Sequence, residues 1–223
     1  GKQYSFPAPD WHQLSACVSV WYDAFSDWIC FQFIHKKAGA VKRYIPLALV
    51  LLGGLLVSKS VYYYGKGALA NVLLTRAWEK SKETKSHHNP WSWADMHPVG
   101  RIEIESVGLS SVVLNTISGE ALAFGPGHLS STPGPGRPGN IVLAGHRDGH
   151  FRKLKDVKEG DLIKLESQFA IQYYTASEIT PTAGNDIYWV DETETDCITL
   201  ITCYPFNYAG QADDRFIVRG IIK

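Results

Sequence analysis

The hydrophobic pattern changes character three times along the chain. From Tyr44 to Tyr64, "YIPLALVLLGGLLVSKSVYYY", apolar residues run almost unbroken and the central part carries no charge. About 20 apolar residues suffice for a helix to cross a bilayer. Lys59 stands near one end, where it can snorkel, and the tyrosines suit a membrane interface. A cleaved signal peptide has a shorter apolar core and a small-residue cleavage site, so the run predicts a retained anchor. The alternative is a buried helix of a soluble protein. Upstream, "VSVWYDAFSDWI" places Val18, Trp21, Tyr22, Phe25, Trp28 and Ile29 at helical spacing, with Asp23 and Asp27 opposite. A second span would bury both aspartates at about 2.5–3.5 kcal/mol each, so an interfacial amphipathic helix is the expectation.

Residues 65–82, "GKGALANVLLTRAWEKSK", continue as helix, with Leu69, Val72, Leu73 and Ala77 forming a narrow apolar stripe. "ETKSHHNPWSW" then breaks it, with Asn89-Pro90 as the stop signal. From Met96 onward short apolar runs alternate with turns. The strand candidates are "RIEIESV", "SVVLN", "NIVLAGH", "LIKLE", "QFAIQYYTASEI", "CITLITC" and "RFIVRGIIK", separated by Gly- and Pro-rich stretches such as "GPGHLSSTPGPGRPGN". Many short strands and few helices predict an all-β barrel or sandwich. The organisation is thus an N-terminal extension over 1–43, an anchor over 44–64, a juxtamembrane helix and linker over 65–94, and a folded domain over 95–223.

Charge adds an orientation. The 223 residues carry 22 Lys and Arg against 22 Asp and Glu, so no basic excess points to nucleic acid. Lys36, Lys37, Lys42 and Arg43 cluster just before the apolar run, while Lys59, Lys66, Arg76 and Lys80 are spread more thinly. The positive-inside rule then puts the N-terminus in the cytoplasm and the folded domain outside. The four cysteines are Cys17, Cys30, Cys197 and Cys203. In "DCITLITC" the last two lie along one strand, about 20 Å apart, whereas a disulfide needs Cα atoms within about 7 Å. Cys203 is therefore expected to be a free thiol; a Cys17–Cys30 bridge stays geometrically open.

A thiol at a strand end, a loop, and an arginine opening the next strand suggest chemistry. Acyl transfer needs a nucleophile, a proton carrier and an oxyanion donor, and a nearby cation favours thiolate. If "RFIVRG" returns antiparallel, Arg215 faces the end of the strand that carries Cys203. The plainer alternative has Arg215 paired with Asp213 or Asp214, or solvated at a strand edge. Among the histidines, His146 ends "NIVLAGH" beside a glycine and is best placed for a site. His128 and His150 read as turn residues, and His87 and His88 fall outside the folded domain. The i,i+4 spacing of His146 and His150 would suit zinc on a helix, but Asp148-Gly149 reads as a turn, so no metal is expected. Asp213 and Asp214 lack the pattern of an EF-hand. Strand alternation turns Thr202 away from Cys203 and gives Cys197 the same face, as a core residue. Asp148 either orients His146 or simply makes the turn.

Together these residues resemble the sortases, the membrane-bound cysteine transpeptidases. Leu200-Ile201-Thr202-Cys203 matches the Leu-x-Thr-Cys motif, His146 in "NIVLAGHRD" the family histidine, and Arg215 in "DDRFIVRG" the family arginine. "GKGALANVLLTRAW", "NPWSWADMHPVGRI" and "TCYPFNYAG" look most like the Gram-negative class GN and class D sortases. The resemblance covers about residues 40–223 and implies a mainly β fold: a closed sortase barrel of about eight strands with short helices, after a transmembrane helix. It implies Cys203 as nucleophile, His146 as general acid and base, and Arg215 as oxyanion and substrate-positioning residue. Thr202, Tyr204 and Asp148 are secondary candidates for lining the substrate. The implied substrate is a secreted protein with a C-terminal signal similar to Leu-Pro-x-Thr-Gly, passed through a thioester to an amine acceptor. No cofactor, metal or nucleic acid is needed, and the enzyme would sit in the cytoplasmic membrane facing the periplasm. Two other readings compete. A different thiol acyl-transfer enzyme is disfavoured because papain-like chains place cysteine before histidine and L,D-transpeptidases carry a His-Gly motif before the cysteine. A non-catalytic, membrane-tethered β-domain that binds an envelope partner is the third.

Overall fold

The computed structural model describes residues 38–208 and 210–223; the expected amphipathic helix and the Cys17–Cys30 pair lie outside them. The first element is helix α1, Ala38–Thr84. From Tyr44 it is the one helix among the described residues that is long and apolar enough to cross a membrane. Its leucines and valines from Leu47 to Val61 are exposed, as an anchor's side chains must be to meet lipid. The chain divides between Tyr62 and Tyr63 into two compact units.

In the second unit, the C-terminal half of α1 packs onto a β-barrel. Its buried stripe is Ala70, Leu74, Ala77, Trp78 and Ser81, one residue out of phase with the expected Leu69, Val72, Leu73 and Ala77. Trp78, the largest side chain of the segment, becomes fully buried and sets the rotation, leaving Leu69 and Val72 exposed. Leu74 packs with Ala94, Met96, Leu114 and Ala121. The helix ends before Asn89-Pro90, because Lys85 takes a left-handed φ of 52° and its ammonium donates to the Gln168 carbonyl. The linker also touches the barrel: His87 meets Gln168 at 3.4 Å, and its ring lies tilted against that of His97 with centroids 4.3 Å apart. His87 therefore belongs to the folded unit, contrary to expectation.

The barrel has eight strands: β1 (Pro98–Ile104), β2 (Leu109–Leu114), β3 (Gly127–His128), β4 (Asn140–Ala144), β5 (Leu162–Ser167), β6 (Ile171–Ala183), β7 (Cys197–Tyr204) and β8 (Asp214–Ile222). Around the closed sheet they run β1-β2-β3-β4-β7-β8-β6-β5. The β2–β3 and β4–β7 pairs are parallel and the other pairs antiparallel. All seven strand candidates form strands. The eighth, β3, hides in the turn-rich stretch because two residues show no alternation. Its pairing with Leu143 and Ala144 buries His128, which corrects the turn reading. A short helix, α2 (Gly119–Phe124), is capped by the Ser118 hydroxyl, which accepts from the Ala121 amide. Ile102, Ile104, Leu143, Leu165, Leu200 and Val218 fill the interior with Phe151 and Tyr174. These rigid walls fix the strand ends at the rim.

Leu74 is 2% exposed, so Leu74→Ala should cost about 2–5 kcal/mol. Leu69→Ala should change stability by less than about 0.5 kcal/mol. Chemical denaturation of both variants checks the observed phase of the helix.

Candidate active site

Pleating sorts β7 into two faces. Ile198 and Leu200 point into the barrel core, so Cys197, Thr199, Ile201 and Cys203 point outward. Residues paired across strands share a face. Cys203 pairs with Arg215, Ile201 with Ile217, and Thr199 with Arg219, and these six form one strip on the outside of the sheet. On the other edge of β7, Ala144 pairs with Ile201. The Gly145 amide donates to the Ile201 carbonyl at 3.0 Å, which carries the parallel register one step further. His146 follows directly after Gly145 and is exposed. The three strands stand in the order β4-β7-β8, so the strand that ends near Cys203 runs between the strand that leads to His146 and the strand that carries Arg215 near its start.

Local packing fixes each group. Cys203 is a free, half-buried thiol. Thr202 is 2% exposed and its Oγ1 donates to the Gly145 carbonyl at 2.8 Å. Its hydroxyl ties the histidine-bearing strand to the cysteine-bearing one, a structural role that uses the face away from Cys203. Gly145 is required here: a Cβ would come within 2.7 Å of the Phe151 ring, which is fully buried in the core. After it the chain turns, the His146 carbonyl accepting from the amides of Gly149 and Phe151. Asp148 is exposed within this turn. Tyr204 is half-buried and packs with Phe206 and Phe216, its centroid 6.3 and 6.0 Å from theirs. Arg147, next to His146, donates to the carbonyls of Pro205 and Gly210, joining the two loops at this end of the barrel. The Arg215 Nη1 donates to the carbonyls of Ala212 and Asp214, each at 2.9 Å. It therefore braces its own hairpin through backbone oxygens, not through the aspartate carboxylates. Gly184 lets that hairpin approach, since a Cβ would meet the Asp213 carbonyl at 2.1 Å.

Two depressions flank the strip. One, about 240 Å³, lies beyond Arg215 and is lined by Ile201, Ile217, Thr182, Asp186, Trp189 and Val190. The other, about 500 Å³, is lined by His146, Asp148, His150, Gly149 and by Leu122 and Ala123 of α2. His150 is half-buried rather than a surface residue. Its Nδ1 lies 3.0 Å from Ser111 Oγ, and burial pushes its pKa down, with His146 adding to the effect. Cys197 is buried but not in the barrel core: it faces outward and its Sγ donates to Asn140 Oδ1 at 3.3 Å. Among the described residues no three His, Cys, Asp or Glu side chains gather as a metal site would need. Sequence reasoning passed over Arg219 and Asn140, which line the same face; alternation from Arg215 in "RFIVRG" was the available signal for Arg219.

The Sortase domain family model matches residues 102–222. The chain belongs to the sortase family. Sortase D of Bacillus subtilis (strain 168) is 32% identical over 130 residues, covering 54% of this chain and 62% of that protein. Sortase A of Bacillus anthracis is 33% identical over 129 residues, covering 55% of this chain and 58% of that one. The chain thus spans about three-fifths of the curated relatives it matches. A Clostridium perfringens Sortase D5 transpeptidase superposes with a TM-score of 0.57 at 24% identity, over 70% of this chain and 99% of that one, which shows a common fold. Sortase A from Corynebacterium diphtheriae gives a TM-score of 0.54 at 27% identity, over 60% and 64%. The sortase likeness thus includes class D.

Thr202→Val should cost about 1–3 kcal/mol by leaving the Gly145 carbonyl without its donor, with Thr202→Ser restoring most of it; thermal melts compare the two. Burial also lowers the pKa of His97 and His128 below the ordinary 6.5. A histidine held neutral when folded binds more protons when unfolded, so stability should fall as pH drops below about 6.5. His150→Gln should flatten part of that slope in denaturation curves taken from pH 8 to 5.

Proposed function

We propose that this chain is a membrane-anchored cysteine transpeptidase that acts on a C-terminal sorting motif, similar to Leu-Pro-x-Thr-Gly, of a secreted protein. The observation that supports the reading is the strand order β4-β7-β8 with Cys203 and Arg215 as cross-strand partners; on this reading His146, just after β4, completes the site. The Cys203 sulfur attacks the scissile carbonyl carbon as thiolate. The guanidinium of Arg215 binds the oxygen as it gains negative charge. Its bonds to its own hairpin run through Nη1, so its remaining edge is the one that meets the substrate. His146 gives a proton to the departing amine, and the C–N bond breaks to leave a thioester on Cys203. An incoming amine then attacks that carbonyl, passes its proton to His146, and expels the thiolate. The acceptor is a primary amine on the cell envelope or another protein, with water as the hydrolytic alternative.

The groove beside Arg215 suits an extended peptide. Its floor is the Ile201–Ile217 pair, next in register to Cys203–Arg215. The apolar segment of α1 supports anchoring, and the basic cluster before it favours a cytoplasmic N-terminus. The barrel then works on the outer side of the cytoplasmic membrane, which the class GN likeness makes the periplasm.

The test uses the full chain in detergent with a peptide carrying the sorting motif. Mass spectrometry should find an acyl adduct on Cys203 that is absent in Cys203→Ala. His146→Ala and Arg215→Ala should each lower kcat/KM by about 10²–10⁴-fold. An unmodified Cys203 with every motif peptide would favour the non-catalytic, partner-binding reading.

A further inference from the structure

A second arginine lies on the same outer strip. Arg219 follows Arg215 by four residues on β8 and is 7% exposed. An arginine this buried usually has a carboxylate partner, yet none of the ion pairs among the described residues includes it. Its guanidinium lies 4.6 Å from the Trp189 ring and 5.2 Å from the Tyr188 ring. Nε donates to Thr199 Oγ1 at 3.2 Å and Nη2 to the Trp189 carbonyl at 3.2 Å. That carbonyl also accepts from Asn140 Nδ2 at 3.0 Å, and the same amide donates to the Asp191 carbonyl at 3.0 Å. Asn140 Oδ1 in turn accepts from Thr199 Oγ1 at 2.8 Å. Farther out, Asp186 accepts from Trp189 Nε1 at 3.1 Å, Thr182 Oγ1 at 2.7 Å and the Tyr188 amide at 3.1 Å.

These bonds run from β4 across β7 and β8 to the segment between β6 and β7, and they converge on residues 186–191. That segment contains one three-residue helical turn, Ile187–Trp189. Of its side chains Trp189 is buried, while Ile187 and Tyr188 are exposed. A planar cation against two adjacent aromatic rings, whose centroids are 5.2 Å apart, adds to the apolar burial of Trp189 in holding it. Asp186, Ile187, Trp189 and Val190 also form one wall of the groove that ends at Arg215.

We propose that Arg219 is a positioning residue for this groove, fixing the 186–191 wall against β7 and β8 so that an extended peptide is held beside Cys203 before bond making begins. The proposal rests on the reading of the groove as the peptide's seat. Arg219 touches neither Cys203 nor the scissile bond in that reading, so its loss weakens binding of ground and transition state alike, which raises KM and spares kcat.

The experiment compares the full chain with Arg219→Gln, Arg219→Lys and Trp189→Phe. Three quantities are read: steady-state cleavage of a sorting-motif peptide, hydrogen exchange by peptide, and the rate at which iodoacetamide alkylates Cys203. Arg219→Gln should raise KM about tenfold with kcat within about twofold. It should speed exchange in residues 184–196 only, and leave alkylation unchanged. Arg219→Lys, which keeps the charge but not the planar fork, should fall between. Trp189→Phe keeps a ring against the guanidinium and loses the bond to Asp186, so it should raise KM less than Arg219→Gln. The proposal is overturned by a drop in kcat at constant KM, by unchanged exchange in 184–196, or by faster exchange with unchanged KM. Exchange that accelerates throughout the barrel also overturns it, since Arg219 would then only support the fold. If the unmodified chain cleaves no motif peptide, the transpeptidase reading fails, and exchange in Arg219→Gln still decides whether this arginine holds the wall.

Discussion

The parallel pairing of β4 with β7 is the constraint from which the site follows. It sets five residues of each strand side by side, Asn140 with Cys197 through Ala144 with Ile201. It then continues through the Gly145 amide and the Thr202 hydroxyl. A shift of one residue would turn Leu143 out of the core and Ala144 into it, because side chains alternate. Two features oppose such a slip. Leu143 and Leu200 are both buried in the interior, and Gly145 is the position over which the Phe151 ring closes. The site is placed by the same packing that makes the barrel stable.

The outer strip shows how one sheet serves both purposes. Midway along β7 and β8 the inward residues Ile198, Leu200 and Val218 are apolar and fully covered. Outward residues change from Cys203 and Arg215 at the rim, through the isoleucine pair, to the Thr199–Arg219 pair under the β6–β7 segment. Polarity returns at Arg219 only because rings and oxygens surround it there. An unpartnered guanidinium at the same depth would carry a large desolvation penalty. The two arginines four residues apart therefore do different work: one faces the rim, the other is enclosed.

Much of this was legible in the sequence. The unbroken apolar run foretold α1, and period-two alternation foretold seven strands. The cysteine at one strand end and the arginine opening the next foretold the Cys203–Arg215 pairing. Three features were not legible, each for a physical reason. The rotation of α1 depends on burying Trp78, a tertiary demand that a narrow apolar stripe does not express. β3 is too short to show any period. The helix stop at Lys85 depends on a bond to Gln168, more than 80 residues away. The burial of His128 and His150 was missed because both follow glycines that read as turns. The network around Arg219 needs strands from four parts of the chain, and no local spacing announces it.

The central claim is that His146 and Cys203 stand on one face of neighbouring strands at the barrel rim, and a cysteine pair tests it most directly. In the His146→Cys variant, mild oxidation should join the new thiol to Cys203 in a disulfide found by peptide mapping, since adjacent strands bring Cα atoms within the roughly 7 Å that such a bond requires. The Leu143→Cys variant, whose side chain lies in the barrel interior, should not form it. Bridging in the second variant and not in the first would contradict the register on which the account stands.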